Sequence, residues 1–206
     1  SVLNMLMLNL PVEKIGGEMY ELLTMANRTT EDVFSLLDNL LKWTKSQIGN
    51  LNVVYQDVDA VEVVDSVIDV FNMVAGLKKI TIREEKPEKL PVCTDIDMLK
   101  TIIRNLLSNA IKFSNENSEV LVKMEEQGDT VVVSVKDSGC GIDEEGQQKL
   151  LHTDTHFSTF GTNNEEGSGL GLLLCQDFAV KIGGKLWFTS KEGEGSTFYF
   201  SIPLKK

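Results

Sequence analysis

The sequence predicts an α+β protein, a helical hairpin followed by an α/β sandwich with helices on one face of a mixed sheet. Three observations carry this expectation: a heptad seam near the N-terminus, two β-hairpins in the second half, and helical stretches between them. Hydrophobic residues make up 42% of the 206 and charged residues 25%, which excludes a disordered or low-complexity chain and supplies a core.

Between Glu18 and Ser46, Leu22, Ala26, Thr29, Val33, Leu36, Leu40 and Trp43 recur at alternating spacings of 4 and 3 residues. Gly49 then offers a C-terminal stop. Val2 to Leu10, followed by Pro11 and Gly16-Gly17, reads as the tail of another helix and its connecting loop. A hairpin this thin cannot bury both faces alone, so pairing with a second copy into a four-helix bundle is expected. The alternative is a lone helix packed on the downstream domain.

From Leu51 the pattern is mixed. Leu51 to Tyr55 reads as a strand, Val61 to Gly76 as a helix with Val64, Ile68, Phe71 and Ala75 inward, and Lys79 to Arg83 as a strand. Thr94, with Asp97 three residues on, has the spacing of a capping box opening a helix from Asp95 to about Phe113. Val120 to Glu125 and Val131 to Lys136 flank Gln127-Gly128-Asp129 as a hairpin, and Leu170 to about Ile182 reads as a helix. Lys185 to Ser190 and Thr197 to Pro203, turned at Glu192 to Gly195, form the last hairpin. The expected domains are 1–48 and 50–206.

Acidic residues outnumber basic ones 31 to 20, a net charge of −11, so the bulk field repels polyanions and argues against nucleic acid as a partner. No apolar run reaches the roughly 18 residues of a membrane span, so no membrane contact is expected of this stretch. Ser1-Val2-Leu3-Asn4 has no basic start and opens inside an apolar-periodic segment; a fragment of a longer chain is expected. Cys93, Cys140 and Cys175 are odd in number and scattered, which fits a reducing compartment.

Asn105, Asn109 and Lys112, spaced 4 and 3, share one helix face opposite Leu99, Ile102, Leu106, Ala110 and Phe113. Asparagine is poor in helix interiors, because its amide competes for backbone bonds. Amide oxygens can ligate Mg²⁺ and an ammonium can meet phosphate, although from spacing alone a solvated polar face is the simpler reading. Asp137-Ser138-Gly139-Cys140-Gly141 follows a valine-rich strand, where a carboxylate can accept a nucleobase N–H. Gly167-Ser168-Gly169-Leu170-Gly171 precedes a helix whose N-terminal amides can face an anion. Asp137 to Gly171 holds seven of the 16 glycines and seven acids against Lys149, so it is expected to be a mobile lid over which a polyphosphate needs a divalent cation. His152 and His156 read as solvated lid residues, and no serine or cysteine has a visible histidine base.

The run Asn105-Leu106-Leu107-Ser108-Asn109-Ala110-Ile111-Lys112-Phe113 is followed by the Asp137 and Gly167 boxes and then Gly195-Ser196-Thr197-Phe198, all after a heptad helix. This order resembles the sensor histidine kinases of two-component systems over almost the whole chain. The resemblance implies a partial dimerisation and histidine-phosphotransfer hairpin joined to a Bergerat-type ATP-binding sandwich. It implies that Asn109, with Asn105 beside it, ligates Mg²⁺, that Lys112 touches phosphate and that Phe113 packs near adenine. Asp137 would accept the adenine amino group, with Gly139, Gly141 and Ile142 lining the base pocket. Gly167, Gly169, Leu170 and Gly171 would close on the phosphates, and Thr197 would reach the base through water. The implied activity moves the ATP γ-phosphoryl to an upstream histidine and then to an aspartate on a response-regulator receiver domain. The implied setting is a cytoplasmic homodimer, with an inner-membrane anchor open to the parent chain. The alternative is a dimeric nucleotide-binding scaffold without phosphotransfer.

Two departures stand out. Ser1 to Leu10, the remnant of the helix that carries the acceptor in this family, has no histidine, so this stretch is not expected to phosphorylate itself. The phenylalanine-rich lid box is reduced to Phe157 and Phe160. Asn105 also stands where ATP-hydrolysing relatives carry a glutamate that activates water, which an amide cannot do.

Overall fold

The structure is a computed structural model that describes residues 52–151, 162 and 170–204, together with 19, 22–23, 25–26, 30, 33, 37, 40–42 and 44. The chain divides into two compact units, Ser1–Gln47 and Ile48–Lys206.

Every described residue of the first unit is helical. The Thr30 and Thr44 hydroxyls donate to the Ala26 and Leu40 carbonyls, each 2.7 Å away, so these polar groups are satisfied along the helix. The seam residues Leu22, Val33 and Leu40 are exposed. Thr29, Leu36, Trp43, Gly49 and the expected first helix with its loop lie outside the described residues.

The second unit runs β1 (Gln56–Asp59), α1 (Ala60–Leu77), β2 (Thr81–Glu85), β3 (Pro91–Thr94), α2 (Ile96–Phe113), β4 (Glu119–Gln127), β5 (Thr130–Lys136), α3 (Glu144–Leu151), α4 (Leu170–Lys181), β6 (Leu186–Lys191) and β7 (Gly195–Pro203). The main sheet has the order β2-β4-β5-β7-β6, and β1 pairs with β3 in a separate two-stranded ribbon. Among the described residues, β2 and β4 run parallel and the other strand pairs antiparallel.

Alternation along the strands sorts the sheet into two faces. Val120, Val122 and Met124 of β4, Val131, Val133 and Val135 of β5, and Phe198, Phe200 and Ile202 of β7 are buried under the helices. Between them on the opposite face lie Lys123, Ser134 and Tyr199 in cross-strand register, with Trp187 stacked on Tyr199. The helical layer is closed by Val64 and Ile68 of α1, Leu99, Ile102 and Leu106 of α2, and Leu174 of α4, all essentially inaccessible. Each fully buried side chain of this size is worth about 1.5–3 kcal/mol.

Several local expectations need correction. Asn52 to Tyr55 is irregular, and the first strand begins at Gln56. Asp95, not Thr94, caps α2: its Oδ1 accepts from the Asp97 and Met98 amides while its Oδ2 accepts from the Val54 amide. A carboxylate can serve both sets of donors at once, whereas Thr94 is committed to β3 and its buried hydroxyl has no partner. Phe71 is half-buried rather than inward. Two short elements escaped the pattern: β3, which begins on a proline, and α3, which interrupts the expected lid.

Candidate functional site

Asp137 sits one residue beyond the end of β5, where its amide donates to the Ser196 carbonyl at 2.9 Å and so extends the β5–β7 ladder. The side chain is buried. Its Oδ1 accepts from the Gly139 amide at 2.9 Å and the Ser196 amide at 3.2 Å. Burial pushes this carboxyl above its ordinary range, and the two amides partly restore the charged form.

Gly139 lies against the end of α2. A Cβ there would stand 2.1 Å from the Phe113 carbonyl oxygen, so only glycine allows the approach. Gly141 has a φ of +66°, and a Cβ on it would meet the Lys191 carbonyl oxygen at 2.0 Å. The next residue, the half-buried Ile142, donates its amide to Ser190 Oγ at 2.9 Å. Gly193 closes the other end by donating to the Cys140 carbonyl at 2.7 Å. The loop after β5 is thereby fastened to the β6–β7 hairpin on one side and to α2 on the other.

On α2, Leu99, Ile102, Leu106 and Ala110 are buried as expected, and Asn105, Asn109, Lys112 and Phe113 are half-buried. Asn105 Nδ2 donates to the Thr101 carbonyl at 2.9 Å, which leaves Oδ1 as the atom nearest Gly171 of α4: a Cβ on that glycine would lie 2.6 Å from it. Lys112 Nζ is 4.8 Å from the centre of the Phe113 ring. Leu170 is buried at the start of α4. Gly167, Gly169, His152, His156, Phe157 and Phe160 lie outside the described residues.

The register sets Ser196 and Thr197 on opposite faces of β7. Thr197 pairs with Lys136 and Thr189 on the face shared with Tyr199, whereas Ser196 is buried beside Asp137. Ser196 Oγ is 2.8 Å from Ser190 Oγ, a pair of hydroxyls on the Asp137 side of the strand. A one-residue step along a strand reverses the face, and the motif spacing alone could not set that register. A cavity of about 310 Å³ opens beside these residues, lined by Asp137, Ser190, Ser196 and Thr197 among others; the helix residues Asn105, Asn109 and Lys112 do not line it. Cys175 is fully buried, and burial pushes its thiol far up, so it is no nucleophile.

The histidine kinase-, DNA gyrase B- and HSP90-like ATPase family matches residues 94–206, which span α2, the Asp137 loop and the last hairpin. The chain belongs to this family. Its second unit is an ATP-binding catalytic domain of the histidine kinase kind. Over 171 residues it is 30% identical to the adaptive-response sensory kinase SasA of Rippkaea orientalis, covering 82% of this chain and 43% of that protein. The sensor histidine kinase WalK of Bacillus subtilis is 28% identical over 186 residues, 89% of this chain and 30% of WalK. The chain thus spans less than half the length of these relatives. Among solved structures, the nucleotide-free catalytic domain of the histidine kinase ThkA superposes with a TM-score of 0.64 at 31% identity, covering 73% of this chain and 96% of that domain. Full-length ShkA in complex with AMPPNP shares the fold, with a TM-score of 0.72 at 22% identity over 94% of this chain and 40% of ShkA. No helix among the described residues is long and apolar enough to cross a membrane.

Proposed function

We propose that this ATP-binding domain delivers the γ-phosphoryl of ATP to a histidine on a helix upstream of Ser1, from which it passes to an aspartate of a response-regulator receiver domain. The observation that carries the reading is the meeting of Asp137 and α2: a buried carboxylate held by two backbone amides, on a loop pressed against the helix end that presents Lys112 and Phe113.

In this reading the Asp137 carboxylate accepts the adenine amino group, and Gly139, Gly141 and Ile142 shape the base pocket. Ser196 and Ser190, rather than Thr197, supply the hydroxyls beside that carboxylate. Lys112 meets phosphate, Phe113 packs near adenine, Leu170 and Gly171 approach the phosphates at the start of α4, and Gly167 and Gly169 keep the phosphate-closing role the resemblance implies.

The donor set fits Mg²⁺. Asn105 and Asn109 offer neutral amide oxygens to a hard cation that keeps waters and phosphate oxygens as its other ligands, and Asn105 has its amide nitrogen already engaged by Thr101. When bound, the ion screens the β- and γ-phosphate charge. With Asn105 in place of a carboxylate, the site offers no base for water there and favours transfer over hydrolysis. The exposed seam Leu22, Val33 and Leu40 supports pairing with a second copy, in the proposed division into 1–48 and 50–206.

Calorimetric titration with ATP, in Mg²⁺ and in EDTA, tests the site. Mg²⁺-dependent binding is expected, lost in Asp137→Ala and reduced to the EDTA level in Asn109→Ala. A chain that includes the proposed acceptor histidine should form acid-labile phosphohistidine on Mg-ATP; none in a folded, ATP-binding protein would overturn the transferase reading.

A further inference from the structure

The last carbonyls of a helix have no partner within it. On α2 the carbonyls of Ala110, Ile111 and Lys112 each have a partner, and two of the groups that supply them come from distant parts of the chain. The Ser114 amide takes the Ala110 carbonyl at 3.1 Å. The side chain of Lys78, the residue that ends α1, crosses to α2: its Nζ donates to the Ile111 carbonyl at 3.0 Å, the Lys112 carbonyl at 2.8 Å and Thr162 Oγ1 at 2.6 Å. Lys78 is buried. Thr162 adds its amide to the Lys112 carbonyl at 3.2 Å and its hydroxyl proton to the Ser114 carbonyl at 2.8 Å. The remaining carbonyl, that of Phe113, rests on Gly139.

A buried ammonium is costly unless hydrogen-bonded, and here its bonds fall at the negative end of the α2 dipole. The helix does not wind into a left-handed terminal turn, because Ser114 goes straight into extended backbone with ψ of 147°. The two residues whose carbonyls Lys78 holds lie between Asn109 and Phe113, and one of them is Lys112 itself.

We propose that Lys78 and Thr162 are positioning residues of the nucleotide site, fixing the end of α2 so that Lys112 is presented to phosphate. The proposal rests on the reading of the site given above. The amides that hold Asp137 for the base come from Gly139 and Ser196, which neither residue touches, so of the groups this device fixes only Phe113 belongs to the base side and the larger effect falls on the phosphate end.

The test compares ATP with adenosine, the latter by competition against a fluorescent nucleotide, for the wild-type chain, Lys78→Met, Thr162→Val and the double variant. Expected is an ATP affinity lower by about tenfold in each single variant, the size of one lost charge-assisted hydrogen bond, with adenosine changed by less than about threefold. The double variant should bind no more weakly than Lys78→Met, because the two act as one device. Equal losses for ATP and adenosine would mark a general loosening and overturn the proposal, as would undiminished ATP affinity or additive losses in folded protein. If Lys78→Met does not fold, Thr162→Val, at an exposed residue, decides by the same ATP-to-adenosine comparison. Failure of the wild-type chain to bind ATP would overturn the site reading itself, and is recognised without any variant.

Discussion

On the strand side of the site, Asp137, Gly139, Gly141 and Ser196 are held by main chain: two amides on one carboxylate oxygen, and carbonyls within 2.1 Å of where a Cβ on either glycine would be. On the helix side, Asn105, Asn109 and Lys112 are half-buried side chains projecting from a helix whose opposite face is packed. The first wall is a rigid mould and the second a set of adjustable arms. In the proposed reading the first wall takes the planar base, the same in every turnover, and the second takes the phosphates and their cation, which would move during transfer, so rigidity belongs on the base side. Perturbing the first wall should change fold and binding together, while perturbing the second should change binding alone.

The largest effect should come from Gly139→Ala. The obstructing atom is backbone of α2, which cannot swing aside like a side chain, so the loop and helix must separate. Thermal unfolding should show a loss of about 3 kcal/mol, and calorimetry no ATP binding. Retention of the wild-type melting temperature would mean the two walls are not pressed together.

Asp137→Asn sharpens the contrast by parting the two effects. The amide oxygen can still accept from Gly139 and Ser196, but it carries no charge for the adenine amino group, so ATP affinity should collapse. Stability should move the other way. Burial raises the Asp137 pKa in the folded chain above its ordinary 3.8, so folding favours the protonated acid. That contribution is fully present below the ordinary value and lost as pH rises through the raised one, leaving a cost at neutral pH. The variant should therefore melt higher than wild type at pH 7, with an advantage that shrinks as the pH falls toward 4. A variant that melts lower at pH 7 would show the carboxylate to be a structural anchor.

What the sequence made legible follows from range. The spacing of Asn105, Asn109 and Lys112 is a property of one helix, and the valine run that ends at Asp137 is a property of one strand; both stand where local periodicity puts them. Asp95 displaced Thr94 as the cap because it also reaches Val54, a partner 41 residues away that no capping pattern contains. Lys78 has no motif of its own: its meaning lies in carbonyls 33 and 34 residues on and a hydroxyl 84 residues on. The helix Glu144–Leu151 was hidden by the surrounding glycines, although its Asp143 side chain accepts from the Gly146 amide in the manner of a cap. The contribution of Gly167 and Gly169 lies outside the described residues.

The smallest effect concerns the single-residue step between Ser196 and Thr197. Ser196→Ala keeps the amide that serves Asp137 but removes a hydroxyl 2.8 Å from Ser190 Oγ, which itself accepts from the Ile142 amide and donates to the Gly195 carbonyl. Loosening that chain of bonds should cost about 1 kcal/mol, read as roughly fivefold weaker ATP binding. Thr197→Ala alters the opposite face of β7, between Lys136 and Thr189, and should leave ATP affinity within the scatter of a surface substitution, about 0.5 kcal/mol. The two substitutions remove similar hydroxyls from adjacent residues of one strand, so their difference isolates the face on which the base binds. If Thr197→Ala is the more harmful, the base is read from the Tyr199 side of the sheet, and the rigid wall lies one residue away from where the register of β5 and β7 puts it.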